Sequence, residues 1–304
     1  MTVEEKVLSF PLKQAPLVKI SDPLLKNNRL SLYIKREDLI HPYIFGNKWY
    51  KLKYNLIEAE KQNKKTLLTF GGAYSNHIFA VAAAGSIFGF KTIGIIRGEE
   101  HLPFNPVLNF AKKRNMLINY VSRTDYRKRA DEDFISKLHK VYGNFYLLPE
   151  GGTNEFAVKG CAEIPSTIDI NYEYICTACG TGGTIAGLIA GALPGTKVLG
   201  FPVLKGANFL KQKTAELLSR SQSSPSGNYE MFMDYHFGGY AKSNNTLLSF
   251  IRDFNKKNNF MADSIYFGKM LFGIYDLIRK GYFIKNKTII AINSAPVENV
   301  VLSV

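Results

Sequence analysis

The sequence predicts an α/β protein of two domains, with parallel sheets covered by helices. Three observations carry that expectation. Short apolar runs alternate with helical stretches over roughly 240 residues, the pattern of strands joined by crossover helices. The chain has 304 residues, more than one typical core accommodates. Its composition, 46% hydrophobic and 21% charged, is that of a globular chain and excludes a disordered one.

The elements follow in order. A Gly-Asn turn at 46–47 leads into a helix. Leu67-Leu68-Thr69-Phe70 reads as a buried strand, and residues 76–88 as a helix with Ile78, Phe79, Ala82 and Ala83 on one side. Thr92–Ile96 is a strand, 106–114 a helix, Leu117–Val121 a strand, 131–141 a helix, and Phe145–Leu148 a strand ended by Pro149. A helix over 154–168 precedes the strand Tyr174–Thr177, a glycine loop and an Ala/Gly/Ile-rich helix. Val198–Phe201, a helix over 269–280 and the strand Thr288–Ile292 complete the series. Ser219–Asn228, rich in Ser, Pro and Gly, reads as a mobile surface loop. Ligands of such sheets sit beyond the carboxyl ends of the strands, so the loops that follow strands are the informative ones.

Net charge is +14, which raises nucleic-acid binding as a possibility. The lysines are dispersed, with small groups at Lys61, Lys64 and Lys65, at Lys112 and Lys113, and at Lys256 and Lys257, and no nucleic-acid module accompanies them. A solvated basic surface is expected instead. Three cysteines do not make a paired disulfide framework and point to a reducing compartment. No apolar run approaches the ~18 residues of a membrane span, and the first residues lack a signal-peptide pattern. A cytoplasmic enzyme is the expectation.

Three loops carry chemistry. Lys48, in Gly46-Asn47-Lys48, stands at a helix start; a lysine in such a place loses its proton readily when buried and becomes free to form a Schiff base. Gly71-Gly72-Ala73-Tyr74-Ser75-Asn76-His77 joins a strand to a helix, with Ser75 as N-cap and free amides suited to an anion. A serine-hydrolase reading of Ser75 and His77 is disfavoured, because residues two apart at a helix start do not form a nucleophile–base pair and the nucleophile-elbow glycines are missing. Cys179-Gly180-Thr181-Gly182-Gly183-Thr184 offers successive amides and two hydroxyls at a second helix start. It lacks the lysine of a P-loop, and Ile185 occupies the third glycine position of the dinucleotide fingerprint, so a single phosphate monoester fits it better. Cys176 and Cys179 have the spacing of a zinc or redox pair, but no further ligands share it; small buried groups at a strand end explain them. No metal site is expected.

A Schiff-base lysine, an anion-binding helix start and a monophosphate loop together suggest pyridoxal 5'-phosphate. With these motifs the chain resembles the 1-aminocyclopropane-1-carboxylate deaminase and D-cysteine desulfhydrase family, of tryptophan-synthase-β-like fold. The resemblance runs from about Pro16 to Ile292 through Lys35-Arg36-Glu37-Asp38, Gly46-Asn47-Lys48, Gly71-Gly72 with Ser75-Asn76-His77, Pro149-Glu150-Gly151-Gly152-Thr153-Asn154, Cys179–Thr184, Gly238-Gly239-Tyr240 and Asp263–Lys269. It implies a large domain of residues 1–49 and 151–304 with a smaller inserted α/β domain of 50–150, and a homodimer. It further implies that Lys48 carries the cofactor, that Asn76 bonds its ring hydroxyl, and that Cys179, Gly180, Thr181, Gly182, Gly183 and Thr184 hold its phosphate. Ser75, Asn76 and His77 would face the substrate carboxylate. Tyr240 and Tyr266 would reach the reacting atoms, with Lys48 and Ser75.

Two departures bear on activity. Phe267 follows Tyr266 where deaminases of the family carry Glu and desulfhydrases usually Thr. Asn293-Ser294-Ala295-Pro296 replaces the usual His-Thr-Gly-Gly, leaving the Ser294 hydroxyl for the pyridine nitrogen. The expected reaction is conversion of a small amino acid to an α-keto acid and ammonia, with D-cysteine desulfhydrase-like β-elimination favoured because Phe267 withholds a carboxylate and offers an apolar wall. Opening of the cyclopropane ring is the alternative. A non-catalytic cofactor-binding fold or basic binding protein is the alternative of another class.

Overall fold

A computed structural model describes residues 1–223 and 228–294. Among the described residues ten strands form two sheets and are numbered in chain order: β1 (Leu17–Ile20), β2 (Ser31–Arg36), β3 (Thr66–Gly71), β4 (Lys91–Arg97), β5 (Leu117–Val121), β6 (Tyr146–Leu148), β7 (Tyr174–Cys179), β8 (Lys197–Pro202), β9 (Asn228–Met231) and β10 (Thr288–Asn293). The first sheet has the order β1-β2-β10-β7-β8-β9 and is parallel except for the β1–β2 pair. The second, β5-β4-β3-β6, is wholly parallel and uses four successive strands. Helices cover both, as the alternation of the sequence predicts.

The central strands β3, β4, β7, β8 and β10 are largely buried and apolar because both faces are covered. Alternate residues of the large sheet serve different cores. Ile175, Val198, Ile290 and Ile292 join one apolar cluster, whereas Cys176, Leu199, Ile289 and Ala291 join a second under the helix Phe267–Arg279. In the small sheet Leu67, Ile96 and Leu148 face the first cluster, and Leu68, Phe70, Ile93 and Ile95 a third.

Helix 154–168 is shorter than its pattern suggests. It runs Glu155–Cys161, capped by Asn154, and a tight turn at Pro165–Thr167 follows. Pro165 has no N–H to continue the ladder, so the chain closes with shorter bonds, Glu163 N–H to Gly160 O and Ile164 N–H to Cys161 O. The loop expected over Ser219–Asn228 is narrower: Ser219 and Arg220 end the helix Phe209–Arg220 and Asn228 opens β9. Residues 224–227 of that stretch, and Ala295-Pro296 of the C-terminal motif, lie outside the described residues. Among the described residues no helix is long and apolar enough to cross a membrane.

Candidate active site

The helix Asn47–Lys61 starts from Gly46, whose φ is +56°. A Cβ there would also lie 2.1 Å from the carbonyl oxygen of Ser294, so only glycine satisfies both conditions. The turn is fixed by Gly46 N–H to Glu37 O at 2.9 Å. Asn47 then bridges two parts of the site: its Oδ1 accepts from Lys48 Nζ at 2.9 Å and its Nδ2 donates to Thr184 Oγ1 at 2.8 Å. Lys51, three residues after Lys48 and thus on the same helix face, is 3% exposed. Its Nζ donates to Gly151 O, Thr153 Oγ1 and Thr181 Oγ1 at 3.3, 3.2 and 3.4 Å. Among the described residues neither lysine forms an ion pair with a carboxylate. Burial, and then the charge of Lys51, pushes the Lys48 amine down to about 7. Burial lowers Lys51 as well.

Ser75 caps the helix Asn76–Phe88; the His77 and Ile78 amides donate to its Oγ at 3.2 and 3.4 Å. Asn76 is half-buried beside it. His77 is buried, and its Nε2 lies 2.9 Å from Thr69 Oγ1. The Thr69 hydroxyl donates to Leu148 O, so it accepts from His77, and the imidazole proton is assigned to Nε2. Among the described residues Nδ1 has no hydrogen-bond partner. Burial, together with the charges of Lys48 and Lys51, holds His77 well below its ordinary pKa. The ring is a neutral acceptor close to both lysines.

β7 delivers the glycine loop. Gly182 takes φ +87° and starts the helix Gly183–Gly191, which among the described residues has no side-chain cap, so its first amides can face an anion. Thr181 Oγ1 shares a short hydrogen bond with Thr153 Oγ1 in addition to the Lys51 contact. Cys179 is buried with its thiol pushed up to about 12 by burial. Cys176, three residues earlier on a strand, faces the opposite cluster, so the two thiols cannot share a ligand. Among the described residues no group of three or more His, Cys, Asp and Glu is gathered for a metal.

Tyr266 lies over the loop: a Cβ at Gly180 would be 3.6 Å from its Cε1. Its ring meets Tyr240 edge to face, with centroids 5.8 Å apart. Burial, then Tyr240, raises the Tyr266 phenol well above its ordinary range. The amides of Ile265, Tyr266 and Phe267 all donate to the Asp263 carboxylate, at 2.6 to 2.9 Å. Phe267 itself points into the second cluster against Phe260, with centroids 5.5 Å apart. The expected apolar wall is therefore corrected: at 2% exposure the ring is a core side chain.

The fold thus gathers Lys48, Thr181, Thr184, Gly180 to Gly183, Tyr266, Tyr240, His77 and Ser294. Asn47, Gly151 and Thr153, which stand in the family motifs without an assigned role, join them, and so does Lys51, which stands in none. The spacing of Lys51 from Lys48 is visible in the sequence, but its partners stand 100 to 130 residues away.

The comparison with protein families decides the cofactor. A family model described as pyridoxal-phosphate dependent enzyme matches residues 8–295. The chain belongs to this family. Pyridoxal phosphate is its cofactor, and the protein is an enzyme of the lyase and deaminase type. It is 28% identical over 277 residues to a bifunctional D-cysteine desulfhydrase/1-aminocyclopropane-1-carboxylate deaminase of Arabidopsis thaliana, covering 83% of this chain and 69% of that one. It is 24% identical over 326 aligned positions to a D-cysteine desulfhydrase of Yersinia pestis, covering 97% and 96%. A solved 1-aminocyclopropane-1-carboxylate deaminase homologue superposes with a TM-score of 0.79 at 22% identity, over 99% of this chain and 98% of the other, and shows the same fold. The site fits the cofactor on its own chemistry. An uncapped helix start and a buried ammonium held by neutral acceptors suit a phosphate monoester, and an amine pushed down to about 7 suits an aldehyde.

Proposed function

We propose that the enzyme removes a β-substituent from a small amino acid, with D-cysteine as the type substrate. The balance is cysteine plus water giving pyruvate, ammonia and hydrogen sulfide. Bound pyridoxal phosphate supplies the electron sink for the bond broken next to the amine. The protein's own groups do the rest. The Lys48 amine holds the cofactor and moves the α-proton. The amides of Gly182, Gly183 and Thr184, the hydroxyls of Thr181 and Thr184, and the Lys51 ammonium hold the phosphate, with Cys179 and Gly180 shaping the approach. Asn76 bonds the ring hydroxyl and Ser294 the pyridine nitrogen. Ser75 and the neighbouring Asn76 amide orient the substrate carboxylate, with His77, whose amide is engaged by Ser75 Oγ, beside them. Tyr266 keeps its proton, and so serves as a donor to the departing sulfur, with Tyr240 beside it.

The carrying observation is the juxtaposition of an uncharged-capable Lys48 amine with the phosphate loop through Asn47. Phe267 leaves no carboxylate after Tyr266, which supports elimination over ring opening by the family pattern alone, because the side chain at this position turns into the core. The names of the relatives leave both reactions open. A cytoplasmic homodimer belongs to the same proposal, with residues 50–150 as the smaller domain; β3 to β6 forming their own sheet supports that division.

Borohydride reduction and peptide mapping test the anchor. The adduct is expected on Lys48; an adduct on Lys51, its neighbour in the site, overturns the assignment. Lys48→Ala should abolish turnover even where cofactor still binds. A panel of D-cysteine, β-chloro-D-alanine and 1-aminocyclopropane-1-carboxylate, read as keto acid and ammonia, tests the reaction. Efficient turnover of the last compound overturns the preference for elimination.

A further inference from the structure

Lys269 stands in the first turn of the helix Phe267–Arg279 and has no exposed surface. Its Nζ donates to His236 O at 2.9 Å and to Gly239 O at 2.7 Å. Burial pushes its pKa down to about 8, against the attraction of the Asp263 carboxylate. A buried ammonium held mainly by main-chain carbonyls is costly, and the segment that supplies them is unusual in its own right.

That segment folds back on itself. Phe237, Gly238, Gly239 and Ala241 have φ of +51°, +93°, +119° and +54°. Phenylalanine and alanine avoid this region, and such a backbone persists only where its surroundings impose it. Two contacts dock the start of the segment on the same helix: the Tyr235 hydroxyl donates to Asp276 Oδ2 at 2.7 Å, and Phe237 meets Phe272 edge to face. Lys269 spans the turn itself. His236 O also accepts from Gly239 N–H, and Gly239 O from Lys242 N–H, so the ammonium binds the two carbonyls that define the turn. The next residue is Tyr240, 41% exposed, with its ring against Tyr266.

We propose that Lys269 is a positioning residue for the reaction: it clamps the turn at 236–239 and so holds the Tyr240 ring against Tyr266 beside the phosphate loop. This rests on the reading that the two tyrosines face the reacting amino acid. One helix start then sets both rings, Tyr266 through Asp263 and Tyr240 through Lys269.

The experiment compares wild type, Lys269→Met, Tyr240→Phe and the double variant as holoenzymes. Lys269→Met should lower kcat at least tenfold, with KM and pyridoxal phosphate affinity changed less than twofold. In the Tyr240→Phe background the same substitution should cost less than a further twofold, because a group acting through the Tyr240 hydroxyl has no hydroxyl left to position. A full additional tenfold loss in that background, or wild-type kcat in Lys269→Met, overturns the proposal. Lys269→Gln, which keeps N–H donors, should recover part of the activity and replaces Lys269→Met if the latter does not fold. Amide hydrogen exchange over 236–242 gives a readout independent of turnover. It should quicken at least tenfold in either variant while the helix 76–88 is unchanged, and unchanged exchange removes the clamp. Quickened exchange with a wild type inactive on the panel sinks the proposed reaction instead.

Discussion

Lys48 and Lys51 share one helix face, and the charge of Lys51 makes that of Lys48 expensive. The Lys48 amine, at about 7, is largely neutral above that pH and protonated below it. Capture of pyridoxal phosphate by the apo-protein should therefore quicken about tenfold per pH unit below ~7 and level off above it, since only the free base attacks an aldehyde. Lys51→Met should move the levelling point to higher pH, by removing the neighbouring charge that disfavours the Lys48 ammonium, and should weaken phosphate binding by roughly 1–3 kcal/mol. Stopped-flow absorbance read against pH checks both, and an unmoved profile would mean that Lys51 does not act on Lys48. Glu37 offers a stability test. Burial raises its carboxyl to about 7, although Lys35 and the Tyr50 hydroxyl oppose the rise. Between 4.5 and about 7 the folded state keeps a proton that the unfolded state releases. The stability linked to Glu37 is thus full below 4.5 and lost as pH rises through about 7. Relative to wild type, Glu37→Gln should gain up to about 3 kcal/mol between pH 4.5 and 8 in urea unfolding, since each tenfold change in proton affinity between the two states is worth ~1.4 kcal/mol. No change in the difference across that range would mean that Glu37 ionises freely.

At the scale of elements, the site is made of helix starts, and these were the legible part. Asn76–Phe88 has the expected bounds because Ser75 caps it and Gly89, at φ +84°, ends it. The glycine loop before Gly183–Gly191 was equally plain, as a strand, a turn that needs φ above zero and a helix without a cap. Gly46→Ala should destabilise the protein by more than ~2 kcal/mol and abolish cofactor capture, because both its φ and the Ser294 backbone exclude a Cβ; wild-type stability and capture would show that the turn relaxes freely. Thr181→Val and Thr184→Val should each weaken cofactor affinity by roughly 1–3 kcal/mol in equilibrium titration. What the sequence hid was of two kinds. Some elements lie outside the strand–helix alternation: the short antiparallel pair β1–β2, β9, and the helix Asn245–Asn258, although Leu247, Ile251 and Phe254 repeat at helical spacing there. The rest depended on distant partners. Neither Thr153 beneath Lys51 nor the inward turn of Phe267 can be read from neighbours in the chain.

At the scale of the molecule, the last strand of the large sheet is not at its edge. β10 enters between β2 and β7, in register with Arg36 at Asn293, and this sets Ser294 against Gly46. Topology thereby brings the residue after β10 against the turn that precedes Lys48. The same economy governs the cores. The small sheet has a cluster of its own on one face, including Leu68, Phe70, Ile95 and Phe145, but its other face gives Leu67, Ile96 and Leu148 to the cluster that also holds Ile175, Val198 and Ile290 of the large sheet. Trp49, beside Lys48, belongs to that shared cluster and stacks on Phe10 at 4.5 Å. A piece cut at 50 and 150 would expose this face to water, and at ~25 cal/mol per Å² even a few hundred Å² of apolar surface removes several kcal/mol, which is most of a domain's net stability. The excised piece should therefore fail to fold, and the intact apo-protein should melt in a single transition. Saturating pyridoxal phosphate should raise that transition without splitting it, since at 100 times Kd a bound ligand adds ~2.7 kcal/mol to the folded state it prefers. Calorimetry of the apo-protein decides the matter: two separate transitions would mean that residues 50–150 stand on their own core and that the shared cluster contributes little to holding the halves together.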